Sequence, residues 1–292
     1  MPNLKDIRVR IGSVKTTRQV TSAMKMVSAA KFRKAHDQIV AFRPYASKLE
    51  TILADLLGAL EGDFSSPFSV VRDSNRTLIV VITSNRGLCG AFNSNVVKLA
   101  ERTMQSDLAP AASTGSIDVV AIGKQGAKMV RSHGRKVMHE FNDLYSHLNF
   151  NTSSEIAEML MDKYLKGEYD KVVLVFNEFV NAASQNTTVK QFLPIEIPSA
   201  RLKKPVHDFI YEPGKKEIVE SIVPKAIKTS FYGCLLESLA AEHGARMTSM
   251  HKATDNASEL LKDLQLAYNK ARQTAITNEI LEIVGGAEAL NK

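Results

Sequence analysis

The sequence lacks tryptophan and contains two cysteines, Cys89 and Cys234, which lie far apart. Neither has another cysteine or a histidine at ligand spacing, so neither a disulfide framework nor a zinc site is indicated, and a reducing compartment fits best. No apolar run approaches the ~18 residues that a membrane span requires, and the opening "MPNLKDIRVRIG" has no signal-peptide core. We therefore expect no direct membrane insertion, and membrane association only through another protein.

Acidic residues are scarce at the start of the chain, where the basic residues concentrate. The whole chain has a net charge of +7, and residues 1–36 contain nine lysines and arginines against the single acidic residue Asp6. The net positive charge of this segment is therefore larger than that of the whole chain. Charge confined to one segment favours an anionic partner surface there and argues against general binding of polyanions.

The first 60 residues show the spacing of a long helix with an apolar seam, the line of residues that faces a partner helix. Arg18 and Thr21 fall where apolar residues are expected, and Val20, Met24 and Val27 continue out of phase, so we expect the seam to shift or weaken there. Pro44 predicts a bend or a restart, because proline lacks a backbone donor. The seam positions are Leu4, Ile7, Ile11 and Val14, then Ala35, Ile39, Phe42, Ala46, Leu49, Leu53, Leu56 and Leu60.

The last 80 residues repeat this pattern. After the turn signal "YEPGKK" at 211–216, nothing forces a helix to stop before Gly285 and Gly286. Its predicted seam is rich in alanine, which permits close antiparallel pairing with the first helix. Helices of ~55 and ~70 residues would run roughly 80 and 100 Å, beyond a globule of about 40 to 50 Å. The seam comprises Ala253, Ala257, Leu260, Leu264, Ala267, Ala271, Thr274 and Asn278.

The middle of the chain reads as alternating strands and helices. Buried strands are predicted at 76–84, 117–123, 171–179 and 187–195, and helices at 93–104, at 124–134 and from Ser153, whose side chain is placed for an N-terminal cap. The predicted fold is mixed α+β: a long antiparallel coiled coil of the N- and C-terminal helices with an inserted Rossmann-like α/β domain. Its parts are an N-terminal shaft helix (1–60), an α/β foot domain (75–200) and a C-terminal shaft helix (210–285).

The loop "SNRGLCGAFNSN" at 84–95 is the most enzyme-like motif. Gly87 and Gly90 give an incomplete phosphate-binding pattern, and a Cys89 nucleophile has no histidine within the next forty residues. A tight turn with a buried thiol is the alternative. No metal site emerges from the histidine spacing, and the acidic residues Glu155, Glu158 and Asp162 fit a solvated helix face.

Nucleic-acid binding by the basic opening segment is a further alternative. Phe32 and Phe42 are the only nearby candidates for base stacking, and both fit the helix seam better. Composition and spacing thus leave open a shaft-like assembly subunit, an α/β enzyme using the Cys89 loop, and a basic coiled-coil adaptor.

Three long motifs favour the first of these. "IRVRIGSVKTTRQVTSAMKMVSAAKFRKA", "SNRGLCGAFNSNV" and "ARMTSMHKATDNASELLKDLQLAYNKARQTAITNEILEIVGGAEAL" resemble the gamma subunit of F-type ATP synthases, over nearly the whole chain. The resemblance implies a central rotor shaft that couples proton flow through the membrane ring to ATP synthesis or hydrolysis in the catalytic beta subunits. It implies no catalysis by this chain itself, no cofactor and no metal.

The implied partners are three alpha and three beta subunits, the epsilon subunit and the c-subunit ring, without nucleic acid. The implied location is the cytoplasmic face of the bacterial inner membrane, peripheral and held through the complex. The paired cysteines of chloroplast members have no counterpart, so thiol switching is not expected.

The resemblance also implies contact residues, position by position. Met24, in "SAMKMV", matches a methionine near the acidic lever of the beta subunit, and Phe209 stands where a tyrosine is expected. Contacts with the beta lever and catch loop are expected at Met24, Lys25, Lys31, Arg33, Lys34, Arg246, Gln273 and Thr277. Contacts of the foot with the c ring and epsilon are expected at Phe209, Tyr211 and Glu212.

Overall fold

The computed structural model describes residues 4–58, 66–72, 76–106, 117–146, 148–182, 184–195, 212 and 214–290. Five helices are assigned in these ranges: α1 (Leu4–Gly58), α2 (Phe92–Gln105), α3 (Lys124–Ser132), α4 (Phe150–Leu165) and α5 (Lys215–Leu290), with a 3-10 turn at Leu144–Ser146. The strands are β1 (Thr77–Ile82), β2 (Ile117–Ile122), β3 (Val137–Phe141), β4 (Lys171–Phe179) and β5 (Gln185–Leu193).

The five strands form one sheet in the order β3-β2-β1-β4-β5. The first four strands in this order are mutually parallel, and β5 runs antiparallel to β4 at the edge. Order 3-2-1-4 is that of a doubly wound fold. The sheet therefore confirms the Rossmann-like insertion, with one antiparallel edge strand added.

Apolar cores lie on both faces of the sheet. On one face, Val96, Val97 and Ala100 of α2 and Val130 of α3 pack on inward residues of β1, β2 and β4. The other face contacts α4 and α5, which contribute to that core Ile156, Leu160, Tyr164, Val223, Ile227 and Phe231. The central strands are buried on both sides, which explains their continuous apolar sequences.

The two terminal helices pack together antiparallel, as predicted. The chain forms two compact units, Met1–Ser28 with Met247–Lys292, and Ala29–Arg246. In the first, the Thr254 hydroxyl donates to that of Thr21 at 2.9 Å. In the second, Ala35 and Ile39 share a cluster with Leu236 and Ala240. Within each unit, α1 and α5 run in opposite directions, because partner numbers on α5 fall as those on α1 rise.

The α1 seam does not shift, so that part of the prediction is wrong, but it weakens as predicted, because the polar residues Arg18, Thr21 and Lys25 occupy seam positions. Val20 and Val27 are exposed at 53% and 58%, whereas Ser28 is buried. Polar residues keep the seam in phase because α5 offers them polar partners, such as Thr254 for Thr21. The helix also continues without interruption through Pro44. Buried or half-buried residues follow one rhythm: Leu4, Ile7, Ile11, Val14, Arg18, Thr21, Lys25, Ser28, Phe32, Ala35, Ile39, Phe42, Ala46, Leu49, Leu53 and Leu56.

The α5 seam differs from the prediction by one position in places. Leu260 is exposed and Leu261 buried, and Tyr268 rather than Ala267 is half-buried. At the second of these positions alanine offers little apolar area, so the larger tyrosine takes the inward position. Asn278, the last predicted seam residue, is exposed, and the helix continues past Gly285 and Gly286 to Leu290.

Two local features of the sheet domain escaped the sequence. Strand β3 is short and mostly half-exposed, so it carries no continuous apolar signal. The predicted cap of α4 at Ser153 is also wrong: the helix begins at Phe150, and the Asn149 side chain accepts a hydrogen bond from the Thr152 backbone N–H at 2.9 Å. Ser153 is buried inside the first turn, where its hydroxyl donates to the Phe150 carbonyl.

Candidate functional site

Three of the basic residues expected to meet a partner lie exposed on α1. Lys31, Arg33 and Lys34 extend away from the seam, since Phe32 and Ala35 take the inward positions. Charged side chains on an open helix face are accessible to an acidic partner segment. The open groove that Arg33 and Lys34 border is completed by Ala30, Asp37, Gln38 and Ala41.

Lys25 belongs to the seam instead. Its ammonium lies 3.3 Å from Nδ1 of His251, and the same ring nitrogen lies 3.2 Å from Asp255. Neighbouring Met24 is half-buried. The structure thus places Lys25 against α5 within the first compact unit, and both Met24 and Lys25 are half-buried, so part of each side chain stays accessible.

Gln273 and Thr277 share one exposed face near the end of α5. The Thr277 hydroxyl donates to the Gln273 backbone carbonyl at 2.9 Å, one turn earlier. Both side chains are exposed, as is every residue with a described side chain after Thr274. These two residues are therefore available to a partner, in contrast to Arg246.

Arg246 is buried, with 8% of its surface exposed. Its guanidinium donates to Glu242 Oε1 at 2.7 Å, to the Arg86 carbonyl at 2.8 Å and to the Gly87 carbonyl at 3.3 Å. The structure therefore brings Arg246 together with the loop at 84–90, which the sequence treated as a separate motif. Gln273 and Thr277 belong to the other compact unit.

Burial controls the electrostatics around this arginine. Desolvation raises the pKa of Glu242, although the neighbouring Arg246 opposes the shift. Burial also lowers the pKa of His243 to about 4, helped by the positive charges of Arg246 and Lys31. Sequence reasoning missed Glu242 and His243; the only signal was the four-residue spacing of Glu242 and Arg246, which allows an ion pair on one helix face.

Cys89 does not have the surroundings of a nucleophile. Its side chain is 2% exposed, and burial raises the pKa of the thiol, with a smaller opposing effect from the Ser84 hydroxyl. The Asn93 side-chain amide donates to the sulfur at 3.3 Å. Within the described part of the chain, no histidine is in hydrogen-bond contact with it. The loop is a tight turn, in which Leu88 and Gly90 adopt positive φ angles of 64° and 61°.

Of the predicted foot residues, Glu212 is exposed, whereas Phe209 and Tyr211 lie outside the described residues. Over the described ranges, no cluster of three or more His, Cys, Asp or Glu residues fits a metal ion. None of the helices there is both long and apolar enough to cross a membrane.

Comparison with known proteins resolves the alternatives. The family model described as ATP synthase matches residues 3–290. The ATP synthase gamma chain of Flavobacterium johnsoniae is 52% identical over 291 residues, covering the whole of both chains. The chain belongs to the ATP synthase gamma chain family. A second gamma chain, from Chlorobium luteolum, is 48% identical over 292 residues and 99% of both chains.

Solved structures share the fold of this chain. A chain of the Euglena gracilis mitochondrial ATP synthase superposes with a TM-score of 0.69 at 22% identity, covering 98% of this chain and 94% of that one. A chain of the central stalk and c ring of the Tetrahymena thermophila mitochondrial enzyme gives 0.59 at 25% identity, covering 80% and 99%. A gamma chain is the non-catalytic central-stalk, or rotor, subunit of the F-type ATP synthase, so the Cys89-enzyme hypothesis is rejected.

Proposed function

We propose that this gamma chain turns inside a ring of three alpha and three beta subunits, and that its asymmetric rotation drives the catalytic beta subunits through successive states. Proton flow through the c ring supplies the torque during ATP synthesis. The complex holds the chain on the cytoplasmic face of the bacterial inner membrane. The shaft helices (1–60 and 210–285) lie within the ring, and the foot domain (75–200) lies toward the c ring.

The observation that carries this proposal is the bare end of α5. From residue 275 to 287 every side chain is exposed, and these include large apolar ones. A soluble chain that leaves so many apolar side chains uncovered on one helix offers a protein interface. The exposed residues are Ile276, Ile280, Leu281, Ile283 and Val284, the most exposed being Ile283 at 67%.

The side chains that we expect to meet the beta subunits suit a surface that must slide against its partner. Met24 is flexible and polarisable, and alanine, serine and threonine are small, so contacts of similar strength form at many angles. Lys25, Lys31, Arg33 and Lys34 supply charges for the acidic lever of the beta subunit. An exposed ion pair contributes only about 0.2–1 kcal/mol, so it is exchanged as the shaft turns.

The remaining contacts follow from position along the chain. We assign Gln273 and Thr277 to the beta catch loop, since both side chains are exposed. Arg246 keeps its family assignment to the same region only as a proposal, because its guanidinium is already occupied within the chain. The foot residues Phe209, Tyr211 and Glu212 are assigned to the c ring and epsilon.

Co-purification tests the assembly directly. The tagged chain, expressed with its neighbouring synthase subunits, is expected to purify with alpha, beta and epsilon in a ratio of three, three and one to itself. Quantitative mass spectrometry of the complex measures the ratio. Recovery of the chain alone, or with an unrelated partner, would contradict the proposed function.

An added charge at residue 24 tests the proposed contact with the acidic lever of the beta subunit. Met24→Lys adds a cation that pairs too strongly with the acidic lever, so ATP-driven proton pumping is expected to fall relative to ATP hydrolysis. Met26→Lys is the matched control, because Met26 lies two residues along the helix on a different, more exposed face. Equal pumping ratios for Met24→Lys and the unmodified complex would exclude the lever contact.

A further inference from the structure

The loop at 84–90 is held rigidly by the sheet. The side-chain oxygen of Asn93 accepts a hydrogen bond from the Ser84 backbone N–H at 2.9 Å. The side-chain NH₂ group of Asn93 donates to the Ser84 hydroxyl at 2.9 Å. Asn177, on β4, donates to the Phe92 carbonyl at 3.0 Å. Since each of these polar groups is buried and satisfied, the loop and the start of α2 move with strands β1 and β4.

Arg246 connects this loop to α5. One guanidinium donates to two loop carbonyls, of Arg86 and Gly87, and also to Glu242 on its own helix. The planar group has fixed donor directions, so three acceptors on two elements define one orientation of the helix relative to the loop.

Close to Arg246, the other contacts of α5 are made by small residues, and a further hydrogen bond between α5 and the sheet, from the Phe179 backbone N–H to Glu237 at 3.3 Å, lies earlier on the helix. Ala241 and Ala245 pack on Cys89 and Phe92. On another side, a Cβ added to Gly244 would lie 3.0 Å from the Ala182 carbonyl oxygen, so the helix backbone approaches the β4-β5 turn closely. Alanine and glycine surfaces permit close approach, but they have no directional hydrogen bonds that oppose rotation about the helix axis.

The Glu242–Arg246 pair does not have the properties of a stabilising contact. Burial raises the pKa of Glu242 despite the adjacent arginine, so desolvation of the carboxylate exceeds the attraction it gains. Buried ion pairs of this kind are often replaceable by apolar residues without loss of stability. The pair therefore calls for a role other than stability.

We propose that Arg246, oriented by Glu242, is a positioning residue that fixes the rotational angle of α5 against the α/β domain, so that torque passes between shaft and sheet without slippage. The role rests on the proposed rotor function and deepens it. It concerns contacts within the chain, and it does not require Arg246 to reach the beta subunit.

An apolar replacement separates this role from stability. In the assembled synthase, Arg246→Met combined with Glu242→Leu removes the directional contacts but keeps the volume. The chain is expected to keep its melting temperature and the complex its ATP hydrolysis, while protons pumped per ATP fall by at least about twofold.

Two further variants sharpen the test. Arg43→Gln breaks an exposed α1-α5 ion pair, Arg43 to Glu237 at 3.3 Å, and is expected to pump as the unmodified complex does. Arg246→Lys keeps the charge but loses the planar donor set, so pumping is expected to fall toward the double variant.

Three results would overturn the proposal. They are an unchanged pumping ratio in the double variant, parallel losses of stability, hydrolysis and pumping at a constant ratio, and full pumping with Arg246→Lys. Failure of the rotor function itself appears differently, as absence of ATP-driven pumping in the unmodified and Arg43→Gln complexes alike.

Discussion

At the scale of single residues, charged side chains of α5 next to His243 are buried, although their residue types predict exposure. Glu242 and Arg246 are among the few buried charged residues of the described chain, although glutamate and arginine are ordinarily exposed. They are buried because α5 passes between the glycine-bearing loop and the β4-β5 turn. Burial then decides the protonation of the neighbouring histidine.

His243 gives a prediction about acid stability. Its pKa is lowered to about 4, so the folded chain prefers the neutral ring. Its contribution to stability is complete above the unfolded pKa of about 6.5 and is lost as pH falls through 4. As pH falls from about 6.5 to about 4, the unfolding free energy of both chains decreases. The decrease for His243→Gln is expected to be smaller by up to roughly 3 kcal/mol than that for the unmodified chain.

Urea unfolding of the purified chain at a series of pH values measures this difference. His139→Gln, at an exposed position on β3, is the control and is expected to follow the unmodified chain. If the unfolding free energy of His243→Gln and that of the unmodified chain decreased equally with falling pH, the expected role of this ring would be contradicted.

At the scale of elements, helix α5 uses its glycines in two ways. Gly244 lies where an added Cβ would meet the Ala182 backbone at 3.0 Å, whereas Gly285 has no atom within 4 Å of that position. Gly244→Ala is therefore expected to destabilise the chain by about 1–3 kcal/mol through overpacking. Gly285→Ala is expected to increase helix stability by about 0.5–1 kcal/mol.

Circular dichroism during urea unfolding reports both glycine variants, and each serves as control for the other. If Gly244→Ala stabilised the chain, the β4-β5 turn would have to shift to accept the added methyl group at no cost in stability. In that case α5 would pack less tightly on the turn than the geometry indicates.

Long elements were predictable because their signal repeats. The seam of α1 and the alternation of strands and helices follow from spacing that recurs over many residues. Short or polar elements were not. Strand β3 has five residues with mixed exposure, and Arg18, Thr21 and Ser28 occupy seam positions that a hydrophobic count excludes. Their place depends on the partner helix, which sequence spacing does not specify.

At the scale of the whole molecule, the two ends of the chain differ in chemistry. Residues 1–36 account for the net positive charge of the chain, whereas the end of α5 exposes isoleucine and leucine. An isolated chain with such an end is expected to self-associate, since its apolar side chains have no cover.

Replacing two of these side chains tests that expectation. Ile280→Gln with Ile283→Gln is expected to lower light scattering of the isolated chain and to weaken its assembly with alpha and beta subunits. Val9→Gln, a lone exposed valine near the start of α1, is the control and should change neither. Unchanged scattering and assembly in the double variant would mean that this end is not an interface.

The sequence alone determined the paired long helices, the parallel sheet between them and the basic opening segment, because periodicity and local charge are properties of neighbours along the chain. Its long motifs also predicted the family. Only the tertiary structure decided that polar residues keep the α1 seam in phase, and that Arg246 lies buried against the loop at 84–90. These features join residues more than one hundred positions apart, and their physical cause is the desolvation and hydrogen bonding that arise once those residues meet.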